Sequence, residues 1–241
     1  MIGSEAASEP PVSLTFFDPD RRLHGLARRG LTLLFRNASP SAIQGGPDVE
    51  ARGDGYRATL DDRLELQFAP VAARTPLAGA VVDVCRVTGT VDGERVECLG
   101  TASETRSPPA WEELDVLRTV SALFDPEHAA LLVARRPRGA PGHGRELVSA
   151  ALLDGGEVRA VEDARLSTVY DGAGRQQSAS LELWMPGEDF PRRAAGELRA
   201  GTTLELPGLT VNASVFAWRM EGREGAGAYE LTIRDEPAEA A

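Results

Sequence analysis

Phe17-Asp18-Pro19-Asp20, followed by Ala27-Arg28-Arg29, returns as Phe124-Asp125-Pro126-Glu127, followed by Ala134-Arg135-Arg136. The offset is 107 residues throughout, and Leu26 and Val133 also correspond. Each copy follows an apolar stretch, Leu14-Thr15-Phe16 in one and Val120-Ser121-Ala122-Leu123 in the other. Each lies downstream of a proline pair, Pro10-Pro11 and Pro108-Pro109. An aspartate that can bond its own downstream backbone precedes a proline that presets φ, which is turn chemistry. Each copy therefore reads as a hairpin, and the shared period predicts two copies of one structural unit. Chance similarity between two strand–turn–strand segments is the competing explanation. The two Arg pairs also have two readings: solvated strand ends, or an anion clamp of fork-shaped guanidiniums.

Outward from this repeat, the chain is a series of short, alternating apolar runs separated by turns. Leu31–Phe35, Tyr56–Leu60, Leu64–Phe68 and Val81–Val91 are such runs, and Asp92-Gly93 predicts a tight hairpin into Arg95–Leu99. The second half continues with runs at Arg145–Leu153, Arg165–Tyr170, Ser178–Met185, Thr203–Leu206, Val211–Met220 and Ala228–Arg234. Between the halves, Ser107-Pro108-Pro109 breaks the pattern, and residues 110–117 predict a short helix capped by Ser107. The resulting expectation is all-β, two tandem barrel or sandwich halves with one short linker helix. The boundaries are an arm at 1–11, a first half at 12–106, a connector at 107–117, a second half at 118–236 and a tail at 237–241.

Composition narrows the function. The 241 residues include 26 Arg and no Lys against 37 acidic residues, a net charge of −11. Nucleic acid as partner is disfavoured, because counterion displacement needs a basic face, and so is an anionic membrane surface. No apolar run reaches the ~18 residues of a spanning helix. The start, MIGSEAASEPP, has neither a basic nor an apolar leader region, so a cytoplasmic location is expected. Arg in place of Lys, with abundant Ala and Gly, is the signature of a GC-rich bacterial genome. Three histidines and two cysteines make no metal-ligand pattern, and no nucleotide-binding loop occurs, so no cofactor is expected. Cys85 and Cys98 read as small core residues, with a disulfide as the alternative.

Two strands are two-faced. Ala179, Leu181, Leu183 and Met185 form a plain core face, opposite Ser178, Ser180, Glu182 and Trp184. Asn212, Ser214, Phe216, Trp218 and Met220 oppose Val211, Ala213, Val215 and Ala217, and neither side suits free solvent. One side is thus expected on a core and the other on a cavity or an interface. Tyr170, Trp184, Phe216 and Trp218 are the candidate ligand-binding residues, with plain core packing as the alternative. Glu182, beside Trp184, and His143, in a Gly-flanked loop, are the candidate catalytic acids. A surface role for Glu182 and a loop-bonded His143 stand against them.

The early Phe16-Phe17-Asp18-Pro19-Asp20 motif, then Gly25-Leu26-Ala27-Arg28-Arg29-Gly30, leads into the rest of the first half. With the connector Trp111 and a second half closing on Trp218 and Tyr229, this layout over residues 12–234 resembles the lipocalin-like superfamily of hydroxyneurosporene synthase and related natural-product cyclases. The resemblance implies two lipocalin-like β halves and a hydrophobic, isoprenoid- or polyketide-like ligand. It further implies cofactor-free hydration or cyclisation by proton transfer. It transfers no catalytic residue. A non-catalytic carrier with the same cavity, or a structural protein whose aromatics seal two halves together, are the competing functions.

Overall fold

The computed structural model describes residues 10–235, except for the side chain of residue 143. The arm residues 1–9 and the tail lie outside the described residues. The first half holds β1 (Val12–Asp18), β2 (Leu23–Arg28), β3 (Leu31–Arg36), β4 (Ser39–Gln44), β5 (Asp48–Arg52), β6 (Gly55–Leu60) and β7 (Leu64–Pro70). It continues with β8 (Thr75–Leu77), β9 (Ala80–Val91) and β10 (Glu94–Thr105). The second half holds β11 (Leu114–Asp125), β12 (His128–Pro137), β13 (Leu147–Asp154), β14 (Glu157–Ala160) and β15 (Asp163–Tyr170). It ends with β16 (Gln176–Trp184), β17 (Arg192–Leu206), β18 (Leu209–Met220) and β19 (Arg223–Arg234).

Each half is one antiparallel sheet, and the two have the same topology. The order is β4-β3-β2-β1-β10-β9-β7-β6-β5 in the first and β14-β13-β12-β11-β19-β18-β17-β16-β15 in the second. The repeated motifs fill equivalent places: each forms the hairpin of the two strands beside the last strand of its half, β1–β2 and β11–β12. The ungapped offset of 107 does not survive in the register. Asp18 pairs with Leu23 across a four-residue turn, whereas Asp125 pairs with His128 across two residues, next to a register shift. β8 pairs with β9 and has no counterpart in the second sheet.

Local chemistry accounts for the turns. Asp92 and Gly93 both have positive φ, 48° and 78°, as the tight β9–β10 hairpin requires. The Asp92 carboxylate takes Arg63 Nε and Nη2 at 2.9 and 3.2 Å. The connector helix is reduced to one 3-10 turn, Trp111–Glu113, with no side-chain cap. The reason is periodicity: Leu114, Val116, Arg118 and Val120 are buried alternately, so this stretch is already strand β11. Cys85 and Cys98 are free thiols.

Three apolar clusters follow from the two faces of each strand. Leu14, Phe16, Leu66, Phe68, Cys85 and Val87 fill the interior of the first sheet. Leu132, Leu181, Leu183, Phe216, Trp218 and Tyr229 fill the second. Between the sheets, Phe17, Leu33, Phe35 and Val84 of the first half pack on Leu123, Leu131, Ala213 and Val215 of the second. Alternation thus serves two cores at once: Phe16 points inward and Phe17 toward the other half. Close backbone approach inside each sheet uses glycine. Gly25 lies under the Phe16 ring and Gly196 under Trp218, where an added Cβ would sit 2.1 and 2.6 Å from ring carbons.

The outer strands of the first sheet are guarded. β4 is exposed and carries Pro40, and β5 presents Asp48, Glu50 and Arg52 to solvent. No helix among the described residues is long and apolar enough to cross a membrane.

Candidate functional site

The face that each half turns toward the other does not close completely. A cavity of about 270 Å³ remains between them, walled by β1, β2 and β10 on one side and β11, β12 and β19 on the other. Its wall is set by strand parity. Ser13 and Thr15 of β1 point here, while Phe16 serves the interior of the first sheet. Thr15 and Thr101 face each other across paired strands, their hydroxyls 2.8 Å apart. Across the gap stand Leu117, Thr119 and Ser121 of β11 with Leu131 and Val133 of β12. The Ser121 hydroxyl accepts the Ala228 N–H at 3.1 Å. The hairpin between β8 and β9 supplies a further wall at residues 77–80. Gly79 is required there: its φ is 83°, and a Cβ would stand 2.8 Å from the Ser107 carbonyl oxygen.

Three charged side chains line this cavity: Arg28, Arg135 and Glu230. Arg28, from the first half, donates through Nη2 to the Glu230 carboxylate of the second. Arg135, from the second half, donates through Nη2 to the Ala78 carbonyl of the first, and its Nε is buried without a partner. The repeat-related arginines therefore both reach across the same interface. Of the two arginine pairs, Arg28 and Arg135 line the wall between the halves, whereas Arg29 is exposed just past the end of β2, as solvated strand ends are. The cavity carries a net charge of plus one inside a chain of −11.

The residues singled out from the sequence lie elsewhere. Phe216 and Trp218 are fully buried within the second sheet, their rings stacked at 5.5 Å, and Tyr229 meets Phe216 at 5.5 Å. Tyr170 is half-buried and packs on that same cluster. Trp184 sits at the end of β16, half-buried, its indole N–H without a partner. Glu182 lies on the outer face of β16 and accepts Arg193 Nε at 3.1 Å. None of these five lines the cavity between the halves. His143 begins a 3-10 turn, His143–Arg145, before β13; its side chain is outside the described residues.

Two buried polar groups carry no signal in the local pattern. Arg118 is 2% exposed inside the second sheet, paired with Glu146 and within 3.4 Å of the Tyr229 hydroxyl. The Tyr229 hydroxyl also bonds Thr168 at 2.7 Å, and burial raises its pKa. In the first sheet, Arg74 bridges Asp83 at 3.2 Å and Glu104 at 2.9 Å; burial raises the pKa of Asp83. These groups pair with one another, while Asp83 Oδ2 and Arg118 Nε stay buried without a partner. Glu230 was not singled out from the sequence either, because its partner Arg28 is 202 residues away. Among the described residues, no group of three or more His, Cys, Asp or Glu could hold a metal ion.

No family model matches the chain, and no curated protein matches it by sequence. Solved structures do. The crystal structure of CghA superposes with a TM-score of 0.62 at 10% identity, over 94% of this chain and 88% of that one. A putative AttH from Nitrosomonas europaea gives 0.56 at 14% identity, over 93% and 92%. Kievitone hydratase from Nectria haematococca gives 0.55 at 10% identity, over 97% and 93%. The chain has the lipocalin-like, two-half β fold of these proteins. The likeness runs nearly end to end, so it takes in both halves. At these identities it is a likeness of fold.

Proposed function

We propose that this protein binds a hydrophobic small molecule, isoprenoid- or polyketide-like, in the cavity between its two halves. The observation that carries this reading is the wall itself: aliphatic side chains interleaved with hydroxyls, at a junction of two rigid sheets. The filled interiors of the two sheets leave this junction as the favoured place for a ligand. A catalytic extension is favoured by one residue. Glu230 is the carboxylate on the cavity wall, and a carboxylate beside a bound olefin or enone can move a proton for hydration or cyclisation. That one neighbour of the fold is named a hydratase supports asking for such a reaction.

The test is binding of the neutral fluorophore Nile red, with native mass spectrometry of the purified protein for any retained lipid. Thr119→Trp fills the cavity from a half-buried position. Saturable binding that this variant abolishes, with the far-ultraviolet spectrum unchanged, supports the reading. Binding that persists in Thr119→Trp, or none in the wild type, overturns it.

A further inference from the structure

The geometry points to an anion clamp: the ligand carries a carboxylate or similar oxyanion head, held by Arg135 with help from Arg28 on the cavity wall. This inference rests on the proposed binding of an apolar molecule between the halves, and it adds the chemistry of the ligand's head.

Three observations carry it. First, the two arginines, related by the sequence offset of 107 though not by strand register, each cross the interface to the opposite half. Second, their partners differ. Arg28 meets a carboxylate, Glu230. Arg135 meets only the dipole of the Ala78 carbonyl, and among the described residues no carboxylate pairs with it. A guanidinium half-withdrawn from water, with its Nε buried and unpartnered, costs free energy that an anion would offset. Third, the surroundings are suited to an oxyanion. Thr15, Ser103 and Thr105 from the first half and Thr119 from the second bring hydroxyls to the cavity lining, among the apolar Leu26, Leu131 and Val133. The formal charge of plus one on the cavity lining favours an anion there, against the long-range repulsion of a chain of −11. The planar fork of arginine binds the two oxygens of a carboxylate together, which lysine does not.

The experiment displaces Nile red with a matched pair, decanoate and decan-1-ol, which share a tail and differ in the head. Wild type should prefer the acid by about ten- to a hundredfold, the range of one charge-assisted hydrogen-bonded contact. Arg135→Gln should bring the acid-to-alcohol ratio close to one. Arg28→Gln should lower it less, because Glu230 already occupies that guanidinium. Arg135→Lys, which keeps the charge and guards against loss of fold, should retain an intermediate, salt-sensitive preference. A wild-type ratio near one, or a ratio untouched by both glutamine variants, overturns the clamp while leaving the cavity reading intact. Failure of both compounds to displace Nile red overturns the cavity reading itself, and the clamp with it.

Discussion

His24 should make the docking of the two halves sensitive to acid. It is buried, 8% exposed, with its Nδ1 unpartnered. It pairs across strands with Phe17 and Phe35, which both belong to the apolar cluster between the halves. Its ring lies 6.1 Å from that of Phe17. Burial lowers its pKa from 6.5 to about 4, and the nearby Asp18 carboxylate opposes this only in part. The folded state therefore refuses a proton that the unfolded chain accepts. Between pH 6.5 and 4 the unfolded state binds more protons, so stability falls as pH falls, by up to ~1.4 kcal/mol per unit. The contribution is fully present above pH 6.5, and roughly 2–3 kcal/mol of it is gone by pH 4.5. Urea unfolding at pH 7.5 and 4.5 reads this directly, as a loss of about 1 M in midpoint. Acidic groups titrate in the same range, so the comparison is with His24→Leu, which carries the residue found 107 positions later, Leu131. The difference between the two proteins isolates the imidazole. Identical pH dependence in wild type and His24→Leu would refute the reasoning.

Two further outcomes follow from packing. Gly196→Ala places a Cβ 2.6 Å from Trp218, a fully buried ring stacked on Phe216, so neither side can yield easily. Overpacking of this kind costs about 1–3 kcal/mol, or ~2–12 °C of melting temperature at this chain length. An unchanged melt sinks the claim, and Gly196→Ala should cost much less in a Trp218→Leu background, where the ring it meets is absent. Burial pushes both the Cys85 and Cys98 thiols up to about 12, so the native protein at pH 8 should resist Ellman's reagent until urea unfolds it. Rapid labelling without denaturant would show these thiols to be reactive.

Much of the fold was readable from local chemistry. Asp-Pro-acid marked two hairpins because turn residues act within a few positions of themselves. They led to two sheets of one topology, although the offset failed in the register, since one turn is two residues shorter. The two-faced character of β18 was legible for the same reason. Ala213 and Val215 serve the junction, while Phe216 and Trp218 serve the interior. The connector misled because Leu114 and Leu117 satisfy a helical spacing while Leu114 and Val116 satisfy a strand one. The cavity was the least legible feature. Its wall is built of Ser, Thr and small aliphatic residues, which look ordinary one strand at a time. Large aromatics drew attention instead because they promise area. The pairing of Arg28 with Glu230 joins the first hairpin to the last strand, and no local pattern encodes that distance. The arginine pairs were the one visible trace of the site.

The guarded outer strands bear on how the protein behaves when crowded. A sheet with nine strands in line ends in rows of unpaired amides, an invitation for another molecule to add itself and for growth to continue. Pro40 removes a backbone donor from β4, and Asp48, Glu50 and Arg52 place charges on β5 that an added strand would have to accommodate. With −11 charges spread over the whole, identical molecules push one another away before their edges meet. Concentrated solutions should therefore stay clear of fibres, and the two halves remain free to pair only with each other.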